Sequence, residues 1–200
     1  LFPDGLHPNT LGNELMAMAA YQSLIGKRAQ SDASIRPQPI QGESVALVAN
    51  GKANFNLGSW QQKTKWVQGT GAKKELLSQH QIEDGDFHLR ARLRMIGQKN
   101  SAAGFFLNDN FLGFEGAAGT AFRNGPAMKG LRMLHPAELL WPRDSWIDFE
   151  VIRNGSMVWF IVNDFTVEMA VIPGAVTRFG FDPTRSEMLI SEWNVVGNLG

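Results

Sequence analysis

Hydrophobic and polar residues alternate along most of this chain, in short segments separated by turn-forming residues. The clearest alternation runs from residue 86 to residue 96. Its apolar positions are Phe87, Leu89, Ala91, Leu93 and Met95, and its polar positions are His88, Arg90, Arg92 and Arg94. Because successive side chains of a strand point to opposite faces, this pattern predicts a strand with one apolar and one cationic face.

Turn-forming dipeptides separate pairs of such segments between residues 44 and 200. Asn50-Gly51 and Asn154-Gly155 are typical of hairpin turns, because both central residues of a type I′ turn need a positive φ. Asp109-Asn110 and Asn163-Asp164 are expected to close two more hairpins. The expected strands are 44–49, 52–57, 86–96, 102–108, 111–115, 146–153, 156–162, 165–171, 176–181 and 187–196, with 64–70 and 75–82 as weaker candidates.

Roughly a dozen short strands joined by hairpin turns predict a mainly β fold. The segment 156–162 is apolar at both alternating sets of positions, which favours a strand covered on both faces and central to a sandwich. The Gly- and Pro-rich segment 116–143 is expected to be the least regular part. We therefore predict an antiparallel two-sheet jelly-roll sandwich over residues 43–200.

The first 42 residues follow a different pattern. From Thr10 to Ile25 the apolar residues recur at helical spacing, and Gly26 is a typical helix stop. Residues 27–42 are charged and rich in Ser and Gln, with Pro37 and Pro39, as in a linker. We expect one N-terminal α-helix, then a linker, then the sandwich domain.

Composition narrows the possible partners. The 200 residues include 19 Lys or Arg and 19 Asp or Glu, so no global charge favours nucleic acid. No apolar run reaches the ~20 residues of a membrane span. Cysteine is absent, which excludes disulfides and thiolate metal sites.

The chain begins inside a motif, so a signal peptide would lie upstream, and we expect a periplasmic or secreted location.

Residues 4–9 read DGLHPN and place an acid and an imidazole three residues apart, directly before the expected helix. Asp, Gly and Pro also form turns, so a plain turn is the alternative. The block resembles the C-terminal Asp-x-x-His block of the SGNH (GDSL-type) hydrolases. That resemblance implies that His7 is the general base and Asp4 orients it. The Gly-Asp-Ser nucleophile block is absent, so residues 1–26 would be the end of an upstream esterase domain and inactive alone.

Residues 86–198 carry a second resemblance. The matching segments are DFHLR at 86–90, NSAAGFFL at 100–107, Phe114-Glu115, the strands 146–151 and 158–163, and a closing strand at 187–195. In this order they resemble the concanavalin A-like (laminin-G-like) sandwich of the bacterial 3-keto-disaccharide hydrolase and glucanase-like proteins. The resemblance implies a jelly-roll domain that contacts saccharides.

Candidate sugar contacts follow from that resemblance and from the side-chain chemistry. Arginine can bind hydroxyls or a carboxylate through two nitrogens. If the cationic strand face lines the ligand, Arg90 and Arg92 would make such contacts; the alternative is a solvated face. Asn108, Glu115 and Trp141 complete the candidate set, Trp141 offering a flat ring for a sugar or merely packing its loop.

Catalysis by the sandwich itself would depend on Glu115. Glycoside hydrolysis generally needs two carboxylates, and Phe114-Glu115-Gly116-Ala117-Ala118 supplies one. The histidines lack metal-ligand spacing, so we expect no zinc site, whereas Asn108, Asp109 and Asn110 could bind Ca²⁺ or simply form a turn.

Three functions remain open. The first is a carbohydrate-binding module of a larger SGNH-type carbohydrate esterase that deacylates esterified saccharides. The second is a glycoside or keto-sugar hydrolase formed by the sandwich itself. The third is a purely structural module that packs on the esterase.

Overall fold

The computed structural model describes residues 37–71, 75–96, 102–115, 120–128, 132–136 and 144–200. The compact unit that contains them extends over Pro37–Gly200. The helix expected at 10–25 and residues 27–36 of the linker lie outside the described residues. The described part contains no helix and fifteen strands: β1 Ser44–Ala49, β2 Lys52–Ala53, β3 Gln61–Gln62, β4 Val67–Thr70, β5 Leu76–Leu77, β6 Phe87–Ile96, β7 Ala102–Leu107, β8 Asn110–Glu115, β9 Thr120–Asn124, β10 Arg132–Pro136, β11 Trp146–Asn154, β12 Met157–Val162, β13 Phe165–Val171, β14 Phe179–Asp182 and β15 Glu187–Val196.

The strands form two antiparallel sheets. The nine-stranded sheet has the order β13-β12-β11-β6-β15-β1-β2, and β4 pairs with β15 and with β3. Strand β6 lies between β11 and β15 and pairs with both, with a β-bulge in β15 between Ile190 and Glu192. The six-stranded sheet has the order β10-β9-β8-β7-β14-β5. The predicted sandwich of two antiparallel sheets is thus confirmed.

Aromatic rings from both sheets meet in the core. Phe105 of the six-stranded sheet lies 5.2 Å from Phe149 of the nine-stranded sheet, and Phe181 lies 5.1 Å from Trp193 (centroid distances). All four side chains are fully buried. At one edge an ion pair of 2.5 Å between Arg123 of β9 and Glu168 of β13 also joins the sheets. Burial of such large apolar side chains is the main stabilising term of the sandwich.

Two of the predicted hairpin turns form at the expected dipeptides. Asn50 and Gly51 have φ values of 51° and 74°, as a type I′ turn requires, and join β1 to β2. Asn163 and Asp164 have φ values of 46° and 70° and join β12 to β13. Asn and Asp tolerate this left-handed region better than other residues with a Cβ atom, so local sequence chemistry determines both turns.

Two other hairpins form with the turn shifted by one residue. Asn154 still belongs to β11 and pairs with Met157, so Gly155 and Ser156 make the turn, with φ of 61° at Gly155 alone. A positive φ at the first central position only is the type II′ pattern. In the β7–β8 hairpin the turn falls on Asn108-Asp109 rather than on Asp109-Asn110.

Two features of the strands differ from the sequence prediction. The segment 116–143 contains β9 and β10, which pair with each other and extend the six-stranded sheet. Pro136 is compatible with β10 because that strand lies at the sheet edge, where a missing N–H donor is tolerated. The apolar strand β12 lies one position from the edge rather than centrally, since β13 follows it as the edge strand.

Arg153 is buried at one end of the sandwich, with 0% of its side chain exposed. Its guanidinium donates to the backbone carbonyls of Gly85, Glu83 and Gly174, and its Cζ lies 4.9 Å from the Phe87 ring centroid. Burial lowers the pKa of Arg153, whereas Asp84 and Asp86 nearby raise it. Arg153 therefore holds two loops, one with Glu83 and Gly85 and one with Gly174, against the end of the β6–β11 strand pair.

Candidate functional site

Two rows of polar residues cross the outer face of the nine-stranded sheet. In each row an arginine of β6 lies in register with a residue of β11 on one side and of β15 on the other. We call them the polar rows: Arg92 with Asp148 and Glu192, and Arg90 with Glu150 and Asn194. These six residues line a groove of about 360 Å³.

Hydrogen bonds between β6 and β11 hold the arginines of the polar rows against Asp148 and Glu150. Arg92 Nη1 donates to Asp148 Oδ1 at 2.9 Å, and Arg90 Nε lies 3.3 Å from Glu150 Oε2. His88 Nε2 lies 2.6 Å from the same Glu150 oxygen. His88 is 3% exposed and Glu150 13%, against 47% for Arg92 and 64% for Asp148. The carboxylate of Glu150 is therefore held by a buried histidine on the same face, while the Arg92–Asp148 pair faces solvent.

Two tryptophans lie beside the polar rows. Trp146 of β11 is in register with Arg94 of β6, one position along the outer face from Asp148. The Trp66 ring lies 6.3 Å from the Trp146 ring (centroid distance), with 56° between the ring planes. Both tryptophans are half-buried. The face thus combines flat aromatic surface with fixed hydrogen-bond donors and acceptors, a combination that suits a ligand with many hydroxyl groups.

The structure separates the residues predicted to contact sugar. Arg90 and Arg92 lie on the outer face of the nine-stranded sheet, whereas Asn108 lies in the β7–β8 turn and Glu115 in β8 of the six-stranded sheet. The two arginines are therefore brought together, but Asn108 and Glu115 are not in their sheet. Asp4, His7 and Trp141 lie outside the described residues.

Asn108 holds a neighbouring loop. Its Oδ1 accepts from the backbone N–H groups of Thr177 at 3.0 Å and Arg178 at 3.3 Å, and its Nδ2 donates to the carbonyl of Ala175 at 3.1 Å. Asn110 Oδ1 likewise accepts from a backbone N–H, at 2.9 Å. Both amide oxygens thus bond within the protein. Across the described ranges no group of three or more His, Asp or Glu side chains could hold a metal ion, and Ca²⁺ at this turn stays a prediction.

Sequence reasoning missed the acidic partners of the arginines. The alternation of Trp146, Asp148 and Glu150 with apolar residues carried a signal for the outer face of β11. For β15 the signal was obscured by a β-bulge. Pairing to β6 shifts between Ile190 and Glu192, so outward positions change from odd to even numbers.

A carboxyl with a perturbed pKa lies on the other sheet. Burial raises the pKa of Asp182, and nearby Glu75 adds to that rise, while a hydrogen bond from the backbone N–H of Thr184 and the charge of Arg178 lower it. Arg178 forms an ion pair of 2.5 Å with Glu75. These groups belong to the six-stranded sheet and its flanking loops, away from the polar rows.

Comparison with known proteins identifies the fold class and no family. No family model matches the chain, and no curated protein matches it in sequence. Among solved structures, a Parabacteroides distasonis protein assigned as a glycosyl hydrolase matches with a TM-score of 0.53 at 10% identity, over 78% of this chain and 100% of the other. The Trypanosoma rangeli sialidase matches with a TM-score of 0.53 at 11% identity, over 78% of this chain and 30% of the other. At such identities these likenesses show the β-sandwich fold alone.

A third solved structure, galectin LEC-6 of Caenorhabditis elegans, has a lower TM-score of 0.47 at 12% identity, over 64% of this chain and 94% of the other. Within the part of the chain that the structure describes, no helix is long and apolar enough to cross a membrane.

Proposed function

We propose that the sandwich is a saccharide-binding module that holds its ligand along the polar rows of the nine-stranded sheet. One observation carries the proposal: charged and amide side chains from three adjacent strands converge on one groove beside the Trp66–Trp146 pair. Carboxylates accept from sugar hydroxyls, guanidinium groups donate to hydroxyl oxygens, and indole faces pack against the C–H surface of a sugar ring.

The energetics of the groove favour a binding role. The Arg92–Asp148 pair is about half exposed, and exposed ion pairs contribute only about 0–1 kcal/mol to stability. The fold therefore gains little from this pair, and its remaining donors and acceptors are available to a ligand. The pair is also held in place before binding, which reduces the ordering cost of association.

The similar solved structures are consistent with this proposal. Two proteins of the same fold carry names that refer to glycoside or sialoside hydrolysis. Their identity to this chain is too low to transfer an activity. The groove chemistry therefore carries the proposal, and the likeness adds only that sandwiches of this kind occur in proteins acting on sugars.

We further propose that the module belongs to a larger SGNH-type carbohydrate esterase that works in the periplasm or outside the cell. The support is the DGLHPN block, in which Asp4 and His7 would complete a catalytic triad with an upstream serine. Sequencing the gene upstream of residue 1 tests this proposal. A Gly-Asp-Ser block in the same reading frame supports it, and an unrelated upstream domain overturns it.

Glycan binding by the 200-residue chain tests the module itself. We expect binding to at least one glycan of a broad array, confirmed by calorimetry. Arg92→Gln should weaken it roughly tenfold, since a hydrogen bond to a charged group is worth about 1.5–3 kcal/mol. The matched control is Arg178→Gln, which removes an arginine from the other sheet and should leave the affinity unchanged. Equal losses in both variants would contradict the placement of the ligand.

The same samples separate the two alternatives. If the sandwich hydrolyses the glycan, products accumulate, and Glu115→Gln stops their release while binding survives. If the module is purely structural, the array shows neither binding nor turnover, and the polar rows serve as a contact to another domain.

A further inference from the structure

Arg94 differs from the other two arginines on its strand face. Arg90 is paired with Glu150 and Arg92 with Asp148. Among the described residues no carboxylate lies within ion-pair distance of Arg94, and its Nε is buried without a hydrogen-bond partner. A guanidinium without a counter-charge is an unsatisfied cation, and a partly buried one is a stronger site for an anion than a solvated one.

The neighbours of Arg94 explain why it remains unpaired. The residues in register with it are Trp146 on β11 and Leu189 on β15, and neither can accept a hydrogen bond from it. The acid further along β15, Glu187, accepts from Gln68 Nε2 at 2.9 Å. Arg90 and Arg92 each have an acid as their cross-strand neighbour on β11. Arg94 instead has apolar cross-strand neighbours on both β11 and β15.

More positive charge lies beside Trp66. Lys63 and Lys65 line a second groove together with Trp66 and Gln68. Trp66 connects this groove to Arg94, because it contacts Trp146, the neighbour of Arg94 across β6 and β11. Arg94, Lys63 and Lys65 thus place positive charge near the two rings, and the carboxylate of Glu187 accepts a hydrogen bond from Gln68 of the same groove.

We propose that the ligand is an acidic saccharide, with a uronic-acid carboxylate bound by Arg94 and the sugar ring packed against Trp66 and Trp146. This inference rests on the proposed saccharide binding and adds the chemical class of the sugar. Arg94 forms a charge-assisted, two-pronged contact with the carboxylate. The polar rows then hold the hydroxyls of the adjoining sugar unit.

Matched ligands test the charge requirement. Oligogalacturonate, oligomannuronate and oligoglucuronate are each compared with their methyl esters, which keep the ring and the hydroxyls but lose the charge. We expect at least one acid to bind about tenfold more tightly than its ester, with that advantage shrinking as salt is raised. Equal binding of acid and ester, or binding of neutral glycans alone, overturns the inference and leaves the saccharide-binding module intact.

Variants of Arg94 test the residue. Arg94→Gln should abolish the preference for acid over ester and leave the ester affinity unchanged. Arg94→Lys keeps the charge without the two-pronged geometry and should retain part of the preference. Arg178→Gln should retain all of it. If Arg94→Gln lowers acid and ester affinity equally while its melting temperature is unchanged, Arg94 is not the carboxylate site. Absence of binding to every glycan would instead overturn both proposals.

Discussion

The strand pair β6–β11 carries arginines on both of its faces, and the two sets have opposite surroundings. At one end Arg153 faces the interior, is 0% exposed and donates to three loop carbonyls. In the middle of the pair, Arg90 and Arg92 lie on the outer face and are 56% and 47% exposed. Arg153 uses its donors within the fold, whereas the outer arginines have solvent-facing donors that the proposed saccharide would contact. Burial, rather than residue type, distinguishes the structural arginine from the two that we propose as ligand contacts.

The strand alternation produces this contrast. Residue 153 has the same parity as Ile147, Phe149 and Val151, so its side chain enters the sandwich at the point where the strand pair ends. There the loop carbonyls replace the water that a charged group needs. On β6 the core positions are odd-numbered, whereas Arg90 and Arg92 are even-numbered. Their side chains therefore point outward and meet carboxylates from β11.

Replacing Arg153 should give the largest effect. Arg153→Met leaves three loop carbonyls without their donor, so we expect unfolding free energy to fall by about 3 kcal/mol. Urea denaturation measures this loss. The folded fraction should bind glycan with unchanged affinity, because the polar rows are not touched. A fall in affinity without a fall in stability would contradict the division between the two faces.

Asn108 should behave as a second structural residue. Asn108→Ala removes the hydrogen bonds to the 175–178 loop and places alanine at a φ of 51°, so we expect a loss of about 2 kcal/mol. Asn108→Gly removes the same bonds without the backbone strain and should lose less. Urea denaturation compares the two. If the folded fraction of either variant bound glycan more weakly, Asn108 would be a sugar contact after all.

The outer pair should show the reverse behaviour. Asp148→Asn, which removes the charge partner of Arg92, should change the free energy of unfolding by less than about 1 kcal/mol because the pair is exposed. Glycan affinity should fall severalfold, since an acceptor in the groove is altered. Calorimetry with the glycan identified on the array measures the second effect. A large stability loss with unchanged affinity would make the polar rows structural.

Asp182 should give the smallest effect and one that depends on pH. A raised pKa means that the folded state binds the proton more tightly than the unfolded chain, so ionised Asp182 lowers stability as pH rises through its folded pKa. Asp182→Asn should therefore be more stable than the parent near neutral pH, by about 0.5 kcal/mol or less. The difference should disappear below the pKa of the unfolded chain. Denaturation at several pH values tests the sign.

The sequence by itself determined most strands, two complete turns and the cationic face of β6. These features depend on neighbours along the chain: a period of two places His88, Arg90, Arg92 and Arg94 on one face, and Asn50-Gly51 accepts the positive φ values of its turn. The β9–β10 hairpin was missed because its Gly- and Pro-containing sequence lacks a clear alternation, and pairing with β8 compensates for that weakness.

Only the tertiary structure decided which side chains share the groove. Asp148 and Glu150 lie more than 50 positions from their arginines along the chain, and the bulge in β15 reverses the parity that brings Glu192 and Asn194 to the same face. Pairing of β7 with β8 placed Asn108 and Glu115 in the other sheet. Pairing of β6 with β11 and β15 left Arg94 between apolar neighbours. Cross-strand register is set by the packing of the whole core, so a local pattern can predict a face but not its partners.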